Sequence, residues 1–147
     1  MRLTLYSDYA LRVLMYTGVR RGRLCTISEI ADAYDISRNH LMKVVKDLGQ
    51  AGYLETIRGR SGGIRLAREP HDINIGQLVR YTEEGFELVE CFGTSNLCAI
   101  SPACRLRGLL GNALNAFLEV LDEASLADLL ENGDALARLL GTAQDDG

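Results

Sequence analysis

The chain has 147 residues, 47% of them apolar, so it can bury one core with an appended element but is short for two independent domains. Charged residues interrupt its apolar runs well before about 20 residues, which argues against a membrane-spanning segment. Four cysteines without a leading signal peptide indicate a reducing compartment. We therefore expect a cytoplasmic protein without structural disulfides.

The net charge is −4, but the charge is unevenly distributed. Residues 37–65 contain six basic side chains and two acidic ones, whereas residues 110–147 contain one basic and eight acidic. Because phosphates are neutralised locally, the basic segment fits a nucleic-acid-binding surface on an acidic chain. Charge alone leaves open a solvated basic surface without a partner.

Three helices are predicted in the first 50 residues. Thr4 is a suitable N-cap for a helix to about residue 20, and a second helix starts at Thr26 or Ser28 and ends at Tyr34. A tight turn at 35–37 leads into a third helix at 38–50, with one apolar stripe. Cys25, placed early in the second helix, is interpreted as a packing residue.

Two strands follow at 53–58 and 64–67, joined by a basic, glycine-rich tip. Two short helices separated by a three-residue turn and followed by such a hairpin indicate a winged helix-turn-helix. The predicted fold class is mainly α with a small β-wing, extended by a long dimerisation helix.

The second half begins with a helix predicted at 73–84, and a long helix follows Cys104 to about residue 122. The long helix is apolar on two sides, which indicates one cover from its own domain and a second from another subunit. Ser125 can cap a short helix that ends at Gly133. The predicted division is a DNA-binding domain at 1–85, whose first helix also contributes to the cysteine site, a cysteine loop at 86–104, dimerisation helices at 105–133 and a mobile tail at 134–147.

The second helix of a helix-turn-helix enters the major groove, where its early residues meet base edges and phosphates. The glycines of the wing tip would let the backbone approach the duplex, and Arg60 is the candidate for the minor groove. The alternative is that these polar and basic residues form a solubilising rim and do not contact DNA. The predicted contacts to double-stranded operator DNA are Ser37, Arg38, Asn39, His40, Lys43, Lys46, Arg58, Arg60, Ser61 and Arg65.

The segment CFGTSNLCAISPAC places six residues between Cys91 and Cys98 and five between Cys98 and Cys104. It contains no charged side chain, so a metal would balance buried thiolates. Zinc sites favour shorter gaps between paired cysteines, whereas the wider spacing suits an iron-sulfur cluster. A disulfide with a spare thiol and three inert buried cysteines remain as alternatives.

These features together resemble a known family. The wing sequence SGGIRLA on a winged helix, followed by three cysteines and a long helix, is similar to the bacterial winged-helix iron-sulfur regulators, which include IscR and NsrR. The resemblance extends from about Leu5 to about Leu121. It implies homodimers with crossed long helices and one cluster per subunit.

The resemblance also bears on the fourth ligand. IscR-like members use a histidine three residues after the last cysteine, where this chain has Arg107, which cannot coordinate iron. NsrR-like members have an aspartate in the first helix, which the sequence YSDYALR matches. The resemblance therefore implies Asp8 of the partner subunit as the fourth ligand, and Arg12 would hold Asp8 by an ion pair when the cluster is altered. An ordinary surface pair of Asp8 and Arg12 is the alternative.

The function that the resemblance implies is a repressor that binds operator DNA and releases it when nitric oxide reacts with the cluster. A 4Fe-4S cluster is favoured over a 2Fe-2S cluster. The alternatives are a regulator that senses iron-sulfur status or redox state, and a cofactor-free thiol redox switch. We do not expect an enzyme, because the sequence has no nucleophile-base pair, phosphate loop or paired carboxylates.

Overall fold

The computed structural model describes residues 1–141. It has seven α-helices and two strands within that range: α1 Leu5–Val19, α2 Ile27–Tyr34, α3 Arg38–Gln50, β1 Leu54–Ile57, β2 Gly63–Leu66, α4 Ile75–Thr82, α5 Arg105–Asp122, α6 Leu126–Leu129 and α7 Gly133–Leu139. Short 3-10 turns lie at Pro70–Asp72, Glu90–Phe92 and Ser101–Ala103. The predicted class, mainly α with a small β-wing, is confirmed.

Local capping explains where the first two helices begin and how the chain turns into the third. The Thr4 side chain accepts a hydrogen bond from Ser7 N, and Thr26 forms a capping box with Glu29 at the start of α2. Asp35 ends α2 in the left-handed region, with φ 53°, which turns the chain into α3. These caps fix the helix-turn-helix geometry.

The wing is a two-stranded antiparallel hairpin in which Glu55 pairs with Arg65 and Thr56 with Ile64. The sequence analysis placed Cys25 early in the second helix, and this prediction is wrong. Cys25 precedes that helix and forms a β-bridge with Ile64, through backbone hydrogen bonds of 2.8 and 2.7 Å. Its side chain is fully buried, in agreement with a packing role, and burial raises the pKa of the Cys25 thiol to about 12.

The core surrounds α1, which packs against α3, β2, α4, α6 and α7. A helix with so many neighbours is buried on several faces, and Ala10, Val13 and Leu14 have no exposed surface. The apolar stripe predicted for α3 is buried against this core: Leu41, Val44, Val45 and Leu48. The polar face of α3 is thereby directed outward.

The end of α5 is joined to the start of α4. The Arg80 guanidinium pairs with the Asp122 carboxylate, and Asn74 donates to the Asp122 carbonyl at 2.6 Å. Gly76 permits this approach, because a Cβ there would lie 2.8 Å from the backbone nitrogen of Asp122. The C-terminal end of the long helix is therefore anchored to α4.

The predicted mobile tail at 134–147 needs correction. Residues Gly133–Leu139 form α7, which packs against α1, and Leu140 packs against the core. The sequence pattern missed α7 because it is short and its apolar contacts are distant in sequence. Residues 142–147 lie outside the described residues. No helix within 1–141 combines the length and apolar character needed to cross a membrane.

Candidate DNA-binding and cofactor sites

The first turn of α3 presents most of the predicted base-reading residues to solvent. The Ser37 side chain caps the helix by accepting a hydrogen bond from His40 N at 3.4 Å. Arg38, Asn39 and Lys43 are exposed, as is Lys46 one turn further on. Because the opposite side of the helix is buried, these side chains share one accessible surface.

His40 is placed differently from its neighbours. It is half-buried, and its ring meets the Tyr9 ring of α1 edge-on, with the centroids 4.7 Å apart. His40 therefore lies against the flank of α1 rather than at the centre of the exposed face. The sequence signal for this contact is weak, since it joins residues from two helices.

The wing tip carries Arg58, Arg60 and Ser61, which are all exposed. Gly59 has φ 112°, a conformation that favours glycine, so the turn brings the two strands together with its basic side chains at the tip. Arg65 differs, because its Nε donates to Glu55 Oε2 at 2.8 Å across the hairpin. Part of the charge of Arg65 is thus neutralised within the wing.

Met42 also lies on the outer surface of α3, and the sequence reasoning did not single it out. Its side chain is 54% exposed and lines an open groove of about 570 Å³ between α3 and β1. The available signal was its position between Arg38 and Lys46 at helical spacing.

The three cysteines predicted to hold a cofactor are free thiols. Cys91 lies in the turn Glu90–Phe92 and is half-buried, whereas Cys98 is exposed. Cys104 is half-buried at the N-cap of α5 and makes no side-chain capping hydrogen bond. The N-terminus of a long helix is a favourable place for negative charge, which suits a thiolate ligand.

Hydrogen bonds from Asn96 organise the middle of this loop. Its Nδ2 donates to Ser101 Oγ at 2.8 Å, and its Oδ1 accepts from Cys98 N at 3.0 Å. The Ser101 amide in turn donates to the Cys98 carbonyl at 3.3 Å. One amide side chain thus fixes the turn around Cys98, a role that the sequence did not reveal.

The structure does not gather the three thiols around one point. Within residues 1–141, no three histidine, cysteine, aspartate or glutamate side chains lie close enough to hold a metal ion. Cys104 lines an open groove of about 690 Å³ together with Arg107, Phe92 and Glu87. The donor types suit an iron-sulfur cluster, and none of the three thiols is fully buried, but the loop would have to close around the cluster.

Asp8 and Arg12 form a two-point ion pair one helical turn apart. Arg12 Nε donates to Asp8 Oδ1 and Arg12 NH2 donates to Asp8 Oδ2, each at 3.0 Å. The guanidinium also lies over the rings of Tyr9 and Tyr34, at 5.8 and 5.6 Å from their centroids. Both side chains of the pair remain about 40% exposed, so the Asp8 carboxylate is accessible from outside the subunit.

A polar junction joins the start of α1 to the end of α4. Glu83 Oε1 accepts from Thr4 N at 2.8 Å, from Thr4 Oγ1 at 3.0 Å and from Ser7 Oγ at 2.5 Å. Ser7 Oγ also lies 2.7 Å from Thr82 Oγ1. Burial alone would raise the pKa of Glu83, but the hydrogen bonds from Ser7 and Thr4 outweigh it and hold this pKa below its usual value.

One side of α5 remains uncovered. Leu106, Leu109 and Val120 are 56%, 64% and 68% exposed, whereas Leu118 is buried against the chain's own fold. The prediction that α5 is apolar on two sides and covered on one by its own domain therefore agrees with the structure. The second side is available to another subunit.

Comparison with solved structures supports the fold. A putative transcriptional regulator from Listeria innocua superposes with a TM-score of 0.73 at 30% identity, covering 89% of this chain and 87% of that one. The IscR of T. potens gives a TM-score of 0.72 at 24% identity, covering 90% and 88%. Both likenesses cover about nine tenths of this chain, so they support the fold over most of its length.

Sequence comparison identifies relatives over nearly the whole chain. The HTH-type transcriptional regulator NsrR of Bacillus subtilis is 55% identical over 142 residues, which cover 95% of this chain and 97% of that protein. The NsrR of Geobacillus kaustophilus is 54% identical with the same coverage. These names confirm the prediction of a DNA-binding transcriptional regulator. Residues 3–132 match the Rrf2 family model, described as an iron-dependent transcriptional regulator, and the chain belongs to this family.

Proposed function

We propose that this protein is a repressor that binds operator DNA as a homodimer and releases it when nitric oxide reacts with an iron-sulfur cluster. The observation that carries the proposal is the cysteine loop, which supplies three free thiols, one of them at the N-terminus of α5, in a winged-helix regulator. A regulator that only bound DNA would not need three free thiols within the uncharged segment 91–104. The family description as iron-dependent supports an iron cofactor.

The cofactor would be held by Cys91, Cys98 and Cys104, with Asp8 of the partner subunit as the fourth ligand. Three thiolates and one carboxylate favour a 4Fe-4S cluster over a 2Fe-2S cluster. When bound, the cluster would supply iron that reacts with nitric oxide. A carboxylate is a harder and weaker ligand for such iron than a thiolate, so the aspartate would mark the labile corner.

The residues of the DNA-binding domain would divide their roles by chemistry. Arg38 and Asn39 have the donors and acceptors to read guanine and adenine edges, whereas Ser37 and Lys46 suit phosphates. Arg60 at the wing tip would enter the minor groove. The remaining proposed contacts are His40, Lys43, Arg58, Ser61 and Arg65.

The homodimer would form through the uncovered side of α5. Leu106, Leu109 and Val120 lie on that side, and their burial against a second copy would remove apolar surface from water. Residues 105–133 would then be the dimerisation segment, 86–104 the cofactor loop and 1–85 the DNA-binding domain. We place the protein in the cytoplasm, where operator DNA and reduced thiols occur together.

Asp8 connects the cofactor site to the DNA-binding domain through α1, which packs directly on α3. Asp8 pairs with Arg12 in its own subunit, and in the proposed dimer Asp8 would instead bind the partner's cofactor. A coupling free energy of about 1–3 kcal/mol between the two arrangements of Asp8 and the binding of DNA would change the affinity for DNA about 5- to 150-fold. Arg12 would therefore act as the alternative partner that accepts Asp8 after its release.

A second candidate is a cofactor-free thiol redox switch. The exposure of Cys98 favours it, because an exposed thiol is open to oxidation. A sensor of iron-sulfur status would share the proposed cluster but respond to its assembly rather than to nitric oxide. These functions differ in cofactor content and in signal.

The test is anaerobic purification followed by iron and sulfide analysis, a visible spectrum and titration with nitric oxide while binding to a selected DNA duplex is measured. We expect a brown protein that releases DNA as its spectrum changes. Cys104→Ala should lose the colour, whereas the matched control Cys25→Ala should keep it. A colourless, iron-free preparation that binds DNA would refute the cluster, and unchanged DNA binding after complete reaction would refute nitric oxide control.

A further inference from the structure

Met42 is exposed in a place where exposure has a consequence for DNA recognition. A lone apolar side chain on a protein surface is ordinary, but this one lies on the helix that carries the base-reading residues. Within α3, all of which the structure describes, Met42 is the only large apolar side chain left in solvent. Its 54% exposure means that the fold does not use it fully for packing.

The neighbours of Met42 direct it toward a nucleic acid. Arg38 lies one turn before it and Lys46 one turn after it, so the three side chains form a row along the helix. Met42, Lys46 and Arg58 also line the groove between α3 and β1, whose floor includes the buried Val45 and Leu54. An apolar contact point therefore lies between cations that attract phosphates.

The chemistry of the major groove supplies an apolar partner. Thymine presents its 5-methyl group there, beside the O4 acceptor, and other bases do not. Cationic and amide side chains recognise hydrogen-bonding groups, whereas the methyl group is recognised by apolar contact. Methionine suits such a contact because its unbranched, polarisable side chain adapts to its partner's position.

We propose that Met42 is a specificity-determining residue that recognises a thymine by van der Waals contact with its 5-methyl group. The inference rests on the proposed binding of operator DNA through α3. A homodimer would bind an operator with two symmetric halves, and each half is called a half-site here. The contact of Met42 adds a preference for thymine at one position of each half-site, which the polar residues alone would not create.

Replacement of thymine by uracil tests this contact, because it removes the methyl group and leaves every hydrogen-bonding group in place. Duplexes that bind the anaerobically purified protein are selected from a random library, and each thymine is then replaced singly by deoxyuridine. At one thymine per half-site we expect about fourfold weaker binding, the factor for one lost methyl contact. Replacement in both half-sites should weaken binding about sixteenfold.

Met42→Ala should bind the thymine duplex more weakly and should be insensitive to uracil at the same position. Met42→Leu should keep part of the thymine preference. Lys43→Ala is the matched control, since it shortens an exposed neighbour on the same helix. Lys43→Ala should weaken binding to the thymine duplex and to every uracil duplex by the same factor, so that the ratio of their affinities stays unchanged.

The outcomes separate this inference from the proposed function. Normal binding with no effect of uracil at any position, or equal sensitivity to uracil in Met42→Ala, would overturn the inference alone. A uniform loss of affinity in Met42→Ala without a uracil effect would indicate contact with the sugar backbone and would also overturn it. Failure to select any duplex would overturn both the inference and the repressor function.

Discussion

Asp8→Asn separates a structural role of Asp8 from a role as cofactor ligand. The substitution keeps the shape of the side chain and removes its charge. The charge matters in two ways within the subunit, through the ion pair with Arg12 and through its place in the first turn of α1. Both contributions can be estimated from the structure.

The expected loss of folding stability is small. An i,i+4 pair with both side chains about 40% exposed contributes about 0.3–0.5 kcal/mol. A carboxylate in the first turn of a helix adds about 0.3–1 kcal/mol. Asp8→Asn should therefore lower the free energy of unfolding of the cofactor-free protein by about 0.5–1.5 kcal/mol, out of a typical 5–15 kcal/mol. The domain should remain folded at room temperature.

The cofactor should respond much more strongly than the fold. We expect Asp8→Asn to alter the visible spectrum of the anaerobic protein and its reaction with nitric oxide, because a neutral amide is a poor ligand for iron. Urea unfolding measures the stability, and titration with nitric oxide measures the response.

Arg12→Gln is the matched control. It removes the same ion pair and the contacts with Tyr9 and Tyr34, so its stability loss should be about 1–2 kcal/mol. It leaves the carboxylate of Asp8 in place and should keep the spectrum. If Asp8→Asn showed the expected stability loss with an unchanged spectrum and an unchanged response, Asp8 would be no more than a helix ion-pair partner.

Three further predictions follow from the site. Arg60→Ala should weaken DNA binding and should lower the slope of log affinity against log salt concentration by about one, because one cation near the duplex is lost. Arg65→Ala should have a smaller effect, because Arg65 is already paired within the wing. Equal effects of the two substitutions in salt titrations would contradict this. The pKa of Glu83 is lower in the folded state than in the unfolded state, so its carboxylate stabilises the fold at pH values above the pKa of the unfolded state. This contribution disappears as the pH falls through the pKa of Glu83 in the folded state. Unfolding measured from pH 7 down to pH 3 should therefore show a smaller loss of stability for Glu83→Gln than for the wild type. In cofactor-free protein, iodoacetamide should modify Cys98 rapidly and Cys25 only after unfolding, because Cys98 is exposed and burial keeps Cys25 as an inert thiol. Peptide mass spectrometry measures the modification of both cysteines. Early modification of Cys25 would refute its packing role.

Those parts of the fold that depend on local chemistry were predictable from the sequence. Thr4 and Ser125 cap helices as expected, because a cap needs only a side-chain oxygen and an amide three residues later. The apolar stripe of α3 and the hairpin also follow from local patterns. The exposed positions of Arg38 and Lys46 follow in turn, since burying one face of a helix leaves the opposite face outside.

Contacts between distant residues were not predictable in this way. Cys25 pairs with Ile64 across 39 positions of sequence, and nothing local to Cys25 distinguishes a bridge from the start of a helix. The ring contact of His40 with Tyr9 and the hydrogen bonds of Glu83 likewise join separate elements. The family resemblance supplied an expected ligand set, but it did not predict that the three thiols lie apart within the described residues.

The residues proposed to hold the cofactor lie on two kinds of structure, a firmly held junction and a loop that is anchored mainly at its ends. Glu83 links α4 to the first turn of α1 through Thr4 and Ser7, so Asp8 and the start of the cysteine loop at Gly85 are fixed to the same junction. Asp122 fixes the far end of α5 to α4.

Between these anchors the loop 86–104 has only short turns, and its central thiol, Cys98, is exposed. Segments with few buried contacts open and rearrange at low free-energy cost, whereas the junction and the core do not. Closure of the loop around a cofactor would therefore be opposed mainly by the entropy of ordering the loop. A ligand from the partner's α1 would then transmit the state of the loop to a rigid body that includes α3, which is the geometry that a DNA-binding sensor requires.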